Sequence, residues 1–303
     1  MTADFQVNPE LTGLSLAYTN PLYIADKIFR RVPTETSVFK YREYEKDLTL
    51  QLPNDEVGES SDPNQVKFKS KLLTDSVKGY SLVDDIPQTE IEDAKGNKEN
   101  LVQDSTEFLT NVFLACREKR LADMLGDVNT YKGNAKTVAT KDKITNDDTD
   151  AWGMIQDAID ALWLPANTLI LSRQVFSKLR RNPSIRSGCN KQDGAVNLND
   201  LKELFSVDNI LIGSAKSNTA KRGAQADIVN LWGNDIIALY INPTATPKKG
   251  LTFGLTMEQG SREISEGFNG KSGVRGVHYV KIAEQLKDKV LAPDCGYLLK
   301  NVI

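Results

Sequence analysis

A chain of 303 residues with 40% hydrophobic and 26% charged residues and a net charge of −3 is neither a disordered segment nor a basic nucleic-acid binder, and it can bury one elaborate core or two modest ones. It has no apolar run of the ~18 residues needed to cross a bilayer, and its N-terminus, MTADFQVNPELTG, lacks the basic start and apolar stretch of a signal peptide, so folding in the cytoplasm and no membrane partner are expected. Cys116, Cys189 and Cys295 are odd in number, far apart and outside any CxxC pair, which argues against a disulfide framework or zinc site and for small buried or half-buried side chains.

Residues 1–36 carry scattered apolar side chains interrupted by Pro9, Pro21 and Pro33, and read as an arm with a short helix near Leu22 to Phe29. From Val38 the pattern changes. Phe39 and Tyr41, then Leu48, Leu50 and Leu52, alternate with polar residues in the two-residue period of a strand. After the turn-rich stretch PNDEVGESSDPNQ the alternation resumes, with Val66, Phe68 and Leu72 set against Lys67, Lys69 and Lys71 and with Tyr80 and Leu82 following. Residues 37–83 therefore form an extended hairpin, whose roughly fifteen residues per strand at ~3.3 Å each would project roughly 50 Å. An isolated two-stranded ribbon is marginal in water, and ordering it costs on the order of 1–2 kcal/mol per residue. Either the rest of the chain folds over it or a second copy does.

The segment Asn100 to Leu125 contains no Gly or Pro and reads as one long helix. Leu101, Phe108, Leu109, Val112, Cys116 and Leu125 are spaced for one face, Asn97 or Asn100 is placed to cap the start, and Gly126 to end it. A polar loop follows, and Asp150 then caps a helix over AWGMIQDAIDALWL, with Trp152, Ile155, Ile159 and Leu162 along one side. Between 165 and 243 short apolar strands (NTLILS, NILIGSA, DIIALYIN) alternate with helices (QVFSKLRRNP, NLNDLKELF), the pattern of a sheet with helices packed on it. The remainder reads as strand GLTFGLTM, a Gly-rich loop from Gly260 to Gly276, strand VHYVKIAEQLKDKVL and a terminal GYLLKNVI.

No catalytic constellation emerges. Gly270, Lys271 and Ser272 resemble the end of a phosphate-binding loop, but Ser265 stands where that motif needs glycine and no helix follows. NDDTDAW lacks the glycine of a calcium loop. His278 is the only histidine, which leaves no base for a triad and no multi-histidine metal site. Asp84 and Asp85 suit a solvated turn, and alternating lysines suit the wet face of a strand. No cofactor or metal is expected, and the chain reads as a protein whose work is its shape.

The order of these elements resembles that of the major capsid proteins of tailed bacteriophages, which share the Hong Kong 97-type fold. The likeness runs from about Leu14 to the C-terminus and is carried by YSLVDDIP, LPANTLILSRQVFSKLRRNPSI, ADIVNLWGNDIIALYINP and KVLAPDCGYLLKNVI, in that order. The resemblance implies an α+β fold with an N-terminal arm (1–36), an extended β-hairpin loop (37–83), a peripheral domain (84–144 and 249–303) with a long spine helix (97–126), and an axial α/β domain (145–248). It also implies that the extended loop lies across a neighbouring subunit. Candidate inter-subunit contacts are thus Phe39, Tyr41, Leu48, Leu50, Leu52, Val66, Lys67, Phe68, Lys69 and Lys71.

Further implications are a homo-oligomer of hexamers and pentamers, an icosahedral virion shell assembled in the host cytoplasm, and double-stranded DNA packaged without sequence-specific binding. Portal and decoration proteins would be partners, and because only a short arm precedes the loop, scaffolding would come from a separate protein. Some relatives join a loop lysine to an asparagine; here Lys67, Lys69 or Lys71 would face Asn269 or Asn301, and nothing in the spacing selects a pair. The competing readings are an encapsulin-type nanocompartment shell and, more remotely, an α/β nucleotide-handling enzyme.

Overall fold

The computed structural model describes residues 5–44, 56–57, 62, 70–94, 97–191, 194, 196–221 and 223–303. The chain begins with β1 (Gln6–Val7), α1 (Pro9–Ala17), α2 (Ala25–Ile28) and β2 (Arg31–Pro33). Asn8 caps α1, its side chain accepting from the N–H groups of Glu10 and Leu11, and Pro9 occupies the first turn, where its missing N–H costs nothing. Next come β3 (Val38–Tyr44), β4 (Ser70–Ser76), β5 (Lys78–Pro87), the short α3 (Gln88–Asp93) and the 28-residue α4 (Lys98–Leu125). At 1.5 Å per residue α4 is about 42 Å long. Asn97 stands at its N-cap without a side-chain bond to it, and Gly126 closes it by donating to the Ala122 carbonyl at 2.9 Å.

The middle of the chain holds β6 (Ala135–Thr137), α5 (Ala151–Asp160), β7 (Thr168–Ser172), α6 (Arg173–Leu179), α7 (Pro183–Gly188), α8 (Leu198–Phe205) and β8 (Asn209–Gly213). Asp150 caps α5, accepting from the Gly153 N–H at 2.9 Å. The small hairpin β9 (Lys216–Asn218) and β10 (Ile228–Asn230) precedes β11 (Ile236–Leu239), and β12 (Gly254–Asn269), β13 (Val277–Val290) and β14 (Gly296–Lys300) complete the chain.

Two main sheets organise these elements. The first runs β1-β12-β13-β5, with β2 also paired in parallel to β12. Its apolar face, Ile86, Ile264, Val280 and Ile282, packs on Val102, Leu109 and Phe113 of α4 and on Leu11 of α1. The second runs β6-β14-β11-β7-β8 and is buried on both sides. Leu169, Leu171, Ile236 and Leu299 face α5 to α8. Ile170, Ile237 and Leu298 face Leu121 and Leu125 of α4 together with Phe29, Phe253 and Trp232. Continuous apolar strings such as TLILS are what a strand covered on both faces requires.

Four sequence expectations are corrected. The ribbon β3–β4, registered from Val38↔Ser76 to Tyr44↔Ser70, does not continue to Leu82; the chain changes sheet at Val77, and Tyr80 and Leu82 pair with Glu284 and Ile282 in the first sheet. The interval from Gly260 is not a loop, because β12 continues to Asn269 through a bulge between Gln259 and Glu263, where Gly260 takes φ 71°. Residues 249–303, expected to lie together in one domain, divide between the two sheets: β12 and β13 belong to the first, and Gly296–Lys300 pairs with β11 and β6 in the second. On α4, Phe108 is 60% exposed and Cys116 is exposed as well, while the buried side runs through Val102, Thr106, Leu109, Phe113, Arg117, Leu121 and Leu125.

Two glycines mark close approaches of backbone to ring. A Cβ at Gly254 would lie 2.3 Å from the Phe29 ring, and one at Gly296 would lie 2.3 Å from the Phe253 ring. Both rings are fully buried, so neither can retreat. Gly254→Ala and Gly296→Ala are each expected to destabilise the subunit by about 1–3 kcal/mol, read as a lower melting temperature by circular dichroism; an unchanged melt would mean that the rings have room to move.

Candidate functional site

The base of the ribbon is fixed to its own protomer. Along β3, Phe39 and Tyr41 point inward and are 6% and 7% exposed, packed with Leu255, Met257 and Leu291 and flanked by Leu73 and Val77. Lys289 Nζ lies 4.7 Å from the Tyr41 ring centre and donates to Asp75 at 2.9 Å. Phe39 and Tyr41, expected to be inter-subunit contacts, are therefore core residues of the subunit that carries them. The alternating outward positions Val38 and Leu72 are 53% and 54% exposed. Lys71, also exposed, stands opposite Glu43. The other candidates, Leu48, Leu50, Leu52, Val66, Lys67, Phe68 and Lys69, lie outside the described residues.

The residues singled out for chemistry are dispersed. His278 Nε2 is 2.9 Å from Gln88 Oε1, its ring 4.5 Å from that of Phe268; burial, then the charge of Lys98, lowers its pKa. Asp84 accepts from the Ser105 hydroxyl at 2.7 Å. Gly270, Lys271 and Ser272 lie in the β12–β13 turn, with Asn269 bonded to Ser272. Asn301 donates its N–H to Asp235 at 2.8 Å, in a different sheet region from Asn269.

What the sequence did not reveal is a buried polar junction between the arm, α4 and the first sheet. Glu118, fully buried on α4, accepts from the backbone N–H of Ile24 at 3.0 Å, from that of Ala25 at 2.8 Å, and from Trp232 Nε1 at 2.7 Å. Burial raises its pKa, against these donors and the neighbouring Arg117. Arg117, 1% exposed, donates to Asp26 and, at 3.1 Å, to Thr256 Oγ1, and its Nη2 lies 3.7 Å from Asp288. Arg31 binds Asp26 and Glu258 at 2.7 Å each, and also Glu284. Burial opposes the charge on Arg31, but Glu284 and Asp26 outweigh it and raise its pKa. A signal was present: Arg117 interrupts an i, i+4 ladder of Leu109, Phe113, Leu121 and Leu125, and a cation at such a position is buried only with partners.

This junction sets a pH response. Burial, reinforced by the Glu284 carboxylate, raises the pKa of Glu258 despite Arg31, so the folded state holds that proton more tightly than the unfolded chain. Its contribution to stability therefore grows as pH falls from neutrality towards the ordinary glutamate value of about 4.3. For Asp26, burial would raise the pKa but Arg117 and Arg31 hold it low, and its contribution is lost as pH falls below the ordinary aspartate value of about 3.9. Urea midpoints measured against pH are expected to rise on going to mildly acidic conditions, where Glu118, also raised by burial, acts in the same direction, and to fall below about pH 4; Glu258→Gln should make the first limb shallower and spare the second.

The junction borders a cleft of about 600 Å³ between arm residues 16–27, α4 and the bulge of β12. Among the described residues, no three His, Cys, Asp or Glu side chains gather as a metal site.

No family model matches the chain. It is 32% identical over 305 residues to the major capsid protein of Pseudomonas phage JBD67, an alignment covering 99% of this chain and 98% of the relative. The chain belongs to the family of bacteriophage major capsid proteins. This capsid protein also superimposes, with a TM-score of 0.75 and 18% identity, on the crystal structure of a phage-related protein from Bordetella bronchiseptica RB50, covering 99% of this chain and 98% of that one. A holo-SrpI encapsulin complex from Synechococcus elongatus PCC 7942 matches with a TM-score of 0.55 and 10% identity, over 99% and 92% of the two chains. Both structural likenesses, at 18% and 10% identity, speak for the fold alone. The fold is the mixed α+β Hong Kong 97 type, and the role of the capsid protein is structural.

Proposed function

We propose that this capsid protein assembles as hexamers and pentamers into an icosahedral phage head, in which the ribbon of each copy lies across its neighbour and the shell encloses double-stranded DNA. The carrying observation is the ribbon: its inward face is anchored on its own core by Phe39 and Tyr41, while Val38 and Leu72 on the outward face are left exposed by the described residues. Burying such side chains on a neighbour contributes about 1.5–3 kcal/mol each, repeated at every contact of a symmetric shell.

In this reading residues 1–36 serve as the arm, the second sheet with its helices serves as the axial domain meeting around the capsomer centre, and the first sheet with α4 serves as the peripheral domain joining capsomers. The chain is not an enzyme and binds no cofactor; scaffolding, portal and decoration proteins are separate partners, assembly takes place in the host cytoplasm, and the finished location is the virion. A net charge of −3 suits a container that confines DNA without gripping it. Electron microscopy of the purified protein should show rings, tubes or shells, and particles from infected cells should protect DNA from nuclease. A strictly monomeric protein at high concentration would refute assembly, and particles filled with a protein cargo instead of DNA would favour a nanocompartment.

A further inference from the structure

The bulge in β12 shifts its register with β13 at one place. Gln259 still pairs with Gln285 and Glu263 with Ala283, which sets Gly260 to Arg262 against Glu284. The Glu284 side chain is fully buried there. Glu258, whose direct partner is Leu286, lies diagonally across the strand pair on the same face as Glu284. A single nitrogen, Arg31 Nη1 from β2, donates to both, to Glu258 at 2.7 Å and also to Glu284. The two carboxyl groups are thereby within hydrogen-bonding reach of each other.

The charges around this pair do not balance. Arg31 also serves Asp26 of α2. Arg117 of α4 is shared between Asp26 and Asp288 of β13, while Glu118 of α4 faces backbone and indole N–H groups. Arg262, in the bulge itself, donates to the Ser15 carbonyl of α1 at 2.5 Å, and its Nε and Nη1 bond to nothing among the described residues. Two engaged guanidinium groups thus face four carboxyl groups, those of Asp26, Glu258, Glu284 and Asp288, and Glu284 Oε2 is buried without a donor. A proton meets that need. Two carboxyl groups this close do not both ionise, and the acid of the pair donates a charge-assisted bond to the carboxylate. The raised pKa of Glu258 agrees with this arrangement.

We propose that Glu258 donates a shared proton to Glu284 and that this O–H···O bond locks β12 to β13 at the bulge. The lock opens as pH rises. The pair then gives up one proton to solvent in the cleft that Glu258 lines, its charge goes from one negative to two, and the strands carry facing carboxylates just where their register shifts. Because the folded state holds this proton more tightly than an unfolded chain does, the lock contributes fully below the ordinary glutamate value of about 4.3 and is lost as pH passes upward through the raised value. β2, which carries Arg31, joins β12 from Thr256 to Glu258, so the lock sits where the arm enters the first sheet. The inference stands on the subunit's own residues and does not depend on assembly.

Two readings on the full-length protein test it. At about pH 6, where an ordinary glutamate is ionised, the infrared spectrum of the wild type should contain the carbonyl stretch of a protonated carboxyl group that Glu258→Gln and Glu284→Gln both remove. A band removed by Glu258→Gln and kept in Glu284→Gln would belong to a lone buried acid and overturns the sharing, as does a band that neither variant removes. Hydrogen exchange reads the lock. Between about pH 6 and pH 9, after correction for the intrinsic rate, the amides of Gln259, Glu263, Ala283 and Gln285 should lose protection in the wild type, about tenfold for each unit by which the pair's pKa is raised, and keep it in Glu258→Gln, where the amide is a permanently neutral donor to Glu284. Equal loss in both proteins, or none in the wild type, overturns the lock. Should neither variant fold, the wild-type exchange profile decides alone: a pH-dependent loss confined to the bulge supports the lock, and its absence refutes it.

Discussion

A subunit lacking Pro53 to Gln65 is expected to fold with an unchanged melting temperature and to lose shell formation. The residues of this stretch that the structure describes, Glu56, Val57 and Asp62, are all exposed. The ribbon base is held without it, by the β3–β4 ladder and by Phe39 and Tyr41 against Leu255, Met257 and Leu291. Removing the tip therefore takes away little that stabilises the monomer, and shortens a segment whose ordering costs on the order of 1–2 kcal/mol per residue. In the proposed shell the balance would reverse, because any contact the tip made with a neighbour would repeat at every subunit boundary. Thermal melts by circular dichroism report the first half of the expectation; sedimentation velocity and electron microscopy report the second. Unfolding of the shortened monomer would mean that the tip packs within its own chain. Normal shells would mean that the arm and sheets suffice for assembly.

The parts of the fold legible in the sequence are those whose pattern is local. TLILS, NILIG and IIAL announce buried strands because each is a short apolar string bounded by turn or cap residues, and α4 announces itself by 28 residues without Gly or Pro. Long-range pairing left no such mark. GYLLK could have entered either sheet, and its place is set by the pairing of Leu299 with Ile236, far apart in sequence. The buried face of α4 is hidden for a related reason: apolar spacing alone favours Phe108 and Cys116, whereas the buried side includes Ser105, Thr106, Thr110, Arg117 and Glu118. Polar groups stay buried only where partners meet them, and those partners, Ile24, Trp232, Asp26 and Thr256, are distant in the chain. The alternation of Phe39 and Tyr41 revealed a ribbon with one apolar face; that the face belongs to Leu255 and Met257 of the same chain required the three-dimensional arrangement.

Glu118→Ala is expected to be among the most damaging single substitutions in the protein. The carboxylate joins three separate pieces of chain: both oxygens take the Ile24 N–H, one takes Ala25 and the other takes Trp232 Nε1. Truncation to alanine strands three buried donors, and since each unmet donor costs about 1–3 kcal/mol, a loss of at least about 3 kcal/mol follows. By the usual size scaling this corresponds to a drop on the order of 6–12 °C in melting temperature. Glu118→Gln should fall between wild type and alanine, because one of its terminal atoms still accepts while the other, an NH₂, now faces donors. Trp232→Phe removes a single donor along with the bond, leaves the two backbone bonds in place and should cost least. Hydrogen exchange separates the junction from the rest of the fold: the Ile24 and Ala25 amides should lose protection in Glu118→Ala, and if only they do so while the melt is unchanged, then the arm is an independently closing flap and Glu118 is its latch. A lowered melt together with lost protection across α4 and β11 would instead identify the buried carboxylate as the point where arm, long helix and second sheet are fastened into one cooperative unit.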